Sequence, residues 1–272
     1  MKIAYFETNV INWLSEQLVC VSDFIDRLTT LGFLPVTGPI TIYELARTFL
    51  DKNGKDRGSN LFSILRDISP SYHPDPGNLM SQEIIRLRTS AEVLPFLDRV
   101  NQAATRLEVE RLSRGIFDSN AEKYIRVKEE SDKLKNNQIT QFYMNQIKEV
   151  NDPTEYKKLK TFPNLVKYFE SHFPDIIRDI LNNRVSLLES KELYYRLNEF
   201  PVIKSSLYSN LYLTYLSLRY KSKPGHDRFD DHHHVINASY SHAFITGDID
   251  LIKTIKYINP NLTLIKCSEL MN

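Results

Sequence analysis

Apolar positions in the first fifty residues follow two alternating rhythms. Ile3, Ala4, Tyr5 and Phe6 form a short apolar run that breaks at Glu7-Thr8-Asn9, which has the length and boundary of a buried strand. Val10, Ile11 and Leu14 then recur at helical spacing. Val21, Phe24, Ile25, Leu28 and Leu31 repeat that spacing over a second helix, with Gly32 placed as its C-terminal stop. Phe33-Leu34-Pro35-Val36-Thr37 predicts a second strand, and Pro39 suits the first turn of a helix from about Thr41 to Leu50. The same alternation returns at the far end of the chain. There a helix from about His232 to Tyr240 leads to a strand Ala243-Phe244-Ile245, a helix from Asp248 to about Tyr257 and a strand Leu262-Thr263-Leu264-Ile265. Strands alternating with helices in this way predict an α/β fold on a parallel sheet.

The middle has a different texture. Residues 51–58 are charged and contain glycine, which predicts a loop, and a second break runs from Ser69-Pro70 to Gly77. From Ser81 to about Lys221 the chain shows charged, apolar-periodic stretches that predict helices, interrupted at Pro95, Gly115, Asp152-Pro153, Pro163, Pro174 and Pro201. Tyr208, Leu211, Tyr212, Tyr215 and Leu218 have the spacing of a packing stripe, which suits them better than base stacking does. The expected organisation is therefore an α/β domain built from residues 1–58 and 222–272, with a helical insertion over residues 59–221 and a connector at Lys221–His226.

Composition removes several function classes. A net charge of +1 over 272 residues is not that of a polycation, so attraction to nucleic acid needs a local basic face, for which Lys123, Arg126 and Lys128 are the candidates. Eight glycines without a Gly-x-Gly-x-x-Gly or Gly-Lys-Ser/Thr motif exclude the usual phosphate-cradling nucleotide loops. Cys20 and Cys267 suit a reducing compartment and are expected as small buried thiols. The early polar residue Glu7 rules against a secretory leader, and no apolar run approaches the roughly 20 residues that cross a bilayer. A cytoplasmic protein without a membrane partner is expected.

Four carboxylates carry the candidate chemistry. Glu7 and Asp248 follow apolar strands directly, which places them at the carboxyl edge of a sheet, where open α/β folds bind ligands. Glu44 lies early in the helix after Pro39, and Asp231 opens the segment leading back to Thr246. Each acid alone reads as a solvated group or a helix cap. Together they form the donor set of a hard divalent cation. His226, His232, His233 and His234 suggest a transition metal instead, but successive helical residues point about 100° apart, so no more than one or two converge. His234, one turn from Asp231, is placed to hydrogen-bond that carboxylate or to approach a phosphate.

The segment Tyr5-Phe6-Glu7-Thr8-Asn9-Val10-Ile11 resembles the opening of PIN-domain nucleases, where an acid followed by Thr/Ser and Asn ends the first strand. Ile42-Tyr43-Glu44-Leu45-Ala46, Asp231-His232-His233-His234-Val235-Ile236-Asn237-Ala238 and Phe244-Ile245-Thr246-Gly247-Asp248-Ile249-Asp250 resemble the family's later acidic motifs, in the family's order. The resemblance implies a flavodoxin-like three-layer sandwich with a parallel central sheet, one or two Mg²⁺ or Mn²⁺ ions, and hydrolysis of RNA phosphodiester bonds. It makes Glu7, Asp231 and Asp248 direct or water-mediated ligands and Glu44 a further ligand or water-orienting group. Thr246 would fix the loop or bond Glu7, Asn9 would orient the first helix, and His234 and Asp250 would support the site. RNA is the implied partner, with a neutralising protein, as toxin-type members have, or a second copy of the chain beside it.

The family's first acid is ordinarily aspartate, and Glu7 is one methylene longer, enough to shift a ligand by about 1 Å. Two readings follow: a site adjusted to the longer acid, or a catalytically impaired PIN-like module that binds nucleic acid or protein. A histidine-dependent metallohydrolase is the third.

Overall fold

The computed structural model describes residues 2–149, 159, 161–220 and 226–270. The chain opens with β1 (Lys2–Phe6), α1 (Thr8–Glu16), α2 (Val21–Thr30), β2 (Phe33–Thr37), α3 (Pro39–Arg47) and α4 (Gly54–Ile68). After β3 (Ser71–Tyr72) come α5 (Pro76–Thr89), α6 (Arg99–Ser113), α7 (Ser119–Glu149), α8 (Phe162–Phe169), α9 (Phe173–Ile180), α10 (Leu187–Tyr195) and α11 (Pro201–Tyr220). The chain closes with α12 (His226–Asn237), β4 (Ala243–Thr246), α13 (Ile249–Ile258), β5 (Thr263–Lys266) and α14 (Cys267–Leu270).

The strands form one parallel sheet of order β3-β2-β1-β4-β5. Successive strand side chains point to opposite faces, and helices cover both faces at β1 and β4, whose sequences read as apolar runs. Ala4, Phe6, Ala243 and Ile245 join a core with α1, α2, α3, α4 and α6. Tyr5, Val36 and Phe244 join a second core with α9, α11, α12 and α13. Tyr5 and Phe244 stack across β1 and β4 with ring centroids 5.5 Å apart. The protein is thus an α/β sandwich with helices on both faces of a parallel sheet, of the Rossmann or flavodoxin-like kind.

Several expectations shift. Gly32 does follow α2, in the left-handed region at φ +76°, where a residue without a Cβ is unstrained. The loop expected over residues 51–58 already contains the start of α4 at Gly54, and the helix expected to reach Leu50 ends at Arg47 and tightens into a 3₁₀ turn. The stretch 59–221 also supplies β3 to the sheet, and α11 from that stretch packs on the sheet through Leu207 and Leu211. Cys20 is exposed, Cys267 is buried, and both are free thiols, which corrects the expectation of two buried ones. The break expected at Asp152-Pro153 and residues 221–225 of the connector lie outside the described residues. Among the described residues no helix is long and apolar enough to cross a membrane.

Candidate carboxylate site at the strand switch point

The chain runs from β1 outward to β2 and β3, then returns to add β4 on the other side of β1. Strand order reverses between β1 and β4, and the crevice beyond their carboxyl ends is where such sheets bind ligands. Glu7 leaves β1 into this crevice with extended backbone (φ −97°, ψ 176°) and caps α1, accepting from the Asn9 backbone N–H at 3.0 Å. Its other oxygen accepts from Thr246 Oγ1, at the end of β4, at 2.6 Å. Thr246 Oγ1 in turn accepts from the Asp248 backbone N–H at 2.9 Å. Asp248 Oδ1 caps α13, accepting from the Asp250 and Leu251 N–H groups at 2.7 and 3.1 Å. One threonine hydroxyl therefore ties together the loops that carry two of the acids. A Cβ on Gly247 would lie 2.9 Å from Asn9 Oδ1, so the two loops touch.

The other acids arrive from helices above the crevice. Glu44, on α3, accepts through one oxygen from Thr8 Oγ1 and from His234 Nε2, the latter at 2.9 Å. His234, on α12 and only 1 % exposed, contacts the Tyr5 hydroxyl at 2.9 Å through Nδ1. Asp231 sits one helical turn before His234, and among the described residues nothing donates a hydrogen bond to it. Asp231 was expected to open its helix. The helix instead begins at His226, so Asp231 is not in its first turn and the dipole offers it little.

These charges are felt mutually. Burial, then the negative charges of Glu7 and Asp248, push the Asp231 carboxyl up to about 7, with His234 opposing and Glu44 adding. Burial also raises Glu7, against the pull of His234 and of its hydrogen bonds from Thr246 and Asn9. For Glu44 burial works upward, but the His234 charge and hydrogen bonds from His234 and Thr8 outweigh it and hold the group below the carboxylate range. For His234 burial works against the charged form, and Glu44 with Glu7 and Asp231 overcomes it. The two directions agree in favouring the charged pair, with Nε2 facing Glu44 and Nδ1 facing the Tyr5 hydroxyl.

Asp230 is a site residue that sequence reading missed. Burial and Glu44 push its carboxyl up to about 6, while Arg47, with a guanidinium nitrogen 3.9 Å away, opposes. Arg47 also pairs with Glu129 of α7 at 2.9 Å, so α3, α7 and α12 are tied beside the acids. Asp250, expected as a supporting residue, lies apart. It is largely exposed and pairs with Lys253 at 2.8 Å.

The histidines spread as helical geometry requires. His232 is buried against Tyr212 and bonds Ser209 Oγ at 2.6 Å, His233 is exposed, and only His234 faces the acids. The side chain of His226 lies outside the described residues. Of the basic candidates, Arg126 pairs with Glu122, and Lys128 pairs with Asp132 while sitting 4.3 Å over the Tyr43 ring. Tyr212 and Tyr215 are buried packing residues.

Comparison of the chain with protein-family models, with curated proteins and with solved structures finds no match.

The acids suit a hard cation by donor chemistry. Among the described residues no group of three or more His, Cys, Asp or Glu side chains is placed to hold a metal ion. Mg²⁺ does not require one, since it keeps several waters and is held by one or two carboxylates. A carboxyl pushed up to about 7 by burial and then by its acidic neighbours is also a group that a cation would return to the charged form. A cavity of about 1390 Å³ lies elsewhere, between α3, α6, α7, α11 and α12. It is bordered by Tyr43, Leu112, Ile125, Leu213 and Phe229 and by none of the four acids.

Proposed function

We propose that the protein is a metal-dependent endoribonuclease of PIN-like type that hydrolyses RNA phosphodiester bonds at the switch-point crevice, with Mg²⁺ or Mn²⁺ as its cation. The observation that carries this reading is the closeness of Asp231 to Asp248 and to Glu7 from the opposite end of the chain, whose charges add to burial in raising its carboxyl. Such a cluster gains most from a divalent ion. The ion supplies an acidified water and neutralises charge developing on the phosphate.

The chain's own residues do the placing. Thr246 sets the distance between Glu7 and Asp248, and α12 brings Asp231 over them. Glu7 reaches Thr246 while still capping α1, so the extra methylene relative to aspartate is taken up within the loop. This favours the adjusted site over the impaired one.

The test is cleavage of a labelled RNA with Mg²⁺, Mn²⁺ or chelator, by wild type and by Asp248→Asn. Asparagine keeps the Oδ1 cap on α13 and removes only the charge. Metal-dependent cleavage that falls at least 100-fold in Asp248→Asn supports the reading. Equal cleavage by the variant overturns it.

A second reading, a silent PIN-like binding module, draws on the internal ion pair between His234 and Glu44, which partly neutralises the cluster without a metal. Glu7→Asp separates the two. A rise in activity marks an impaired catalytic site, and retained RNA binding with no metal uptake marks the silent module.

A further inference from the structure

The helices beside the acids run in a register that builds a rim on the crevice. Ser205 accepts from Ser239, Ser209 bonds His232 and Leu213 packs on Phe229, so α11 and α12 are antiparallel and the last turn of α11 meets the first turns of α12. Along α12, His234 lies over Tyr5 near the end of β1 and Asp231 lies beside Glu7, past that end. Arg228, one turn further on the same face, therefore stands on the outer rim. The helix α13 starts at the crevice too, capped by Asp248, and packs on α11 with the Tyr212 and Tyr257 rings stacked 5.2 Å apart.

This rim carries cations and exposed rings. Other arginines of the helical stretch are paired with acids, as Arg88 is with Glu189 and Arg196 with Glu192 and Glu199. Among the described residues no carboxylate pairs with Arg219 or Arg228, and both are exposed. Arg219 instead donates to the Tyr215 hydroxyl, and its guanidinium lies 5.7 Å from the Tyr215 ring centroid and 5.4 Å from that of Tyr220. Lys253, one turn before Tyr257, pairs with Asp250 in an exposed bridge that contributes little in water. Packing accounts for the buried Tyr212 and Tyr215. It does not account for Tyr220, 60 % exposed, or Tyr257, 44 % exposed.

We infer that Arg219, Tyr220, Arg228, Lys253 and Tyr257 form a binding track for single-stranded RNA that leads the strand over the rim into the crevice. Its link to cleavage rests on the nuclease reading; binding along it does not. The phosphates of the strand meet the guanidinium and ammonium groups, which offset the repulsion that the acids of the crevice exert on a polyanion. Cations alone would hold any nucleic acid. Rings beside them favour an unpaired strand, because the bases of a duplex are already stacked on one another and offer no free face.

The test is fluorescence anisotropy of a short labelled single-stranded RNA in EDTA, so that binding is read without any metal-dependent step. Arg228→Gln is expected to raise Kd about threefold or more and to lower the salt slope by about 0.7, the share of one phosphate contact. Tyr220→Ala should raise Kd about fivefold or more with the salt slope unchanged, as loss of a stacked base does. Both side chains are exposed, so the fold does not depend on them. Arg114→Gln removes a cation from α6, across the sheet, and should leave Kd at the wild-type value. Equal weakening by Arg114→Gln, wild-type Kd in both rim variants, equal affinity for the same RNA annealed to its complement, or no binding by the wild type overturns the track. Cleavage in Mn²⁺ by wild type separates the two readings. If wild type cleaves while both rim variants keep its Kd and KM, the track falls and the nuclease reading stands. If wild type binds as expected and cleaves nothing, the nuclease reading falls and the track stands.

Discussion

Thr246 Oγ1 donates to Glu7 Oε1 at 2.6 Å, joining residues 239 positions apart in the chain. The hydroxyl is completely buried and accepts from the Asp248 N–H as well, so it serves both loops of the crevice. Thr246→Val keeps the shape and removes the hydroxyl, leaving a buried carboxylate oxygen and a backbone N–H without this partner. Loss of such bonds costs about 1–3 kcal/mol. The expected result is a urea midpoint lowered accordingly with an unchanged m value, together with weaker Mn²⁺ binding. A midpoint equal to wild type would show that Glu7 finds another donor.

The carboxyls of Asp231 and Glu83 are both pushed up to about 7, burial being the first cause in each. An acid raised above its unfolded value binds its proton in the folded state first, so the fold loses stability as pH rises through the raised value. His234, raised by Glu44, acts in the same direction. The metal-free protein should therefore be more stable at pH 6.5 than at pH 8, by about 1 kcal/mol. Mg²⁺ should reverse part of that slope, raising Tm more at pH 8 than at pH 6.5. Thermal melts at both pH values, with and without the ion, check the sign. A Tm that rises with pH in the absence of metal contradicts it.

Glu83 caps a helix that cannot cap itself. Its carboxylate, fully buried on α5, accepts from the Val202 and Ile203 backbone N–H groups at 2.9 and 2.8 Å and from the Tyr240 hydroxyl at 2.8 Å. These are first-turn donors of α11, which have no partner within their own helix. Glu83→Gln turns an acceptor into a donor facing one of them, at an expected cost of about 1–3 kcal/mol. The pH slope between 6.5 and 8 should shrink in the same variant, which calorimetry at the two pH values measures.

Gly38 is a position beside α12 with no room for a methyl group. A Cβ there would lie 1.6 Å from Asn237 Oδ1, and Asn237 is fixed by its Nδ2 donating to the Pro74 carbonyl at 2.7 Å. Gly38→Ala must push the end of α12 outward, with an overpacking cost of about 1–3 kcal/mol. Because α12 carries Asp231 and His234, Mn²⁺ affinity should fall along with Tm. An alanine variant with wild-type affinity would show that α12 moves without disturbing the acids.

Much of the sheet was legible because its central strands, β1 and β4, are buried on both faces. The span of β2 is Phe33–Thr37 as expected, and β1, β4 and β5 differ from their apolar runs by single residues at their ends. By contrast β3 has only two residues, and its Tyr72 N–H and carbonyl are met by the Gln102 side chain, at 3.1 and 3.0 Å, from thirty residues away. No local pattern announces such a strand.

The site was legible to a similar depth. Glu7 and Asp248 were placed by strand ends, a local signal. The partner of His234 was misread because helical spacing points to Asp231, whereas packing of α12 against α3 brings Glu44, 190 residues away, to its Nε2. Asp230 escaped notice beside Asp231, since only the contact with Arg47 shows that it faces the cluster.

The reversal of strand order between β1 and β4 also sets a timetable. During synthesis Glu7 emerges long before Thr246, so the pairing of β1 with β4 waits until Thr246 has left the ribosome. Until that pairing forms, the acids at the two strand ends stay apart.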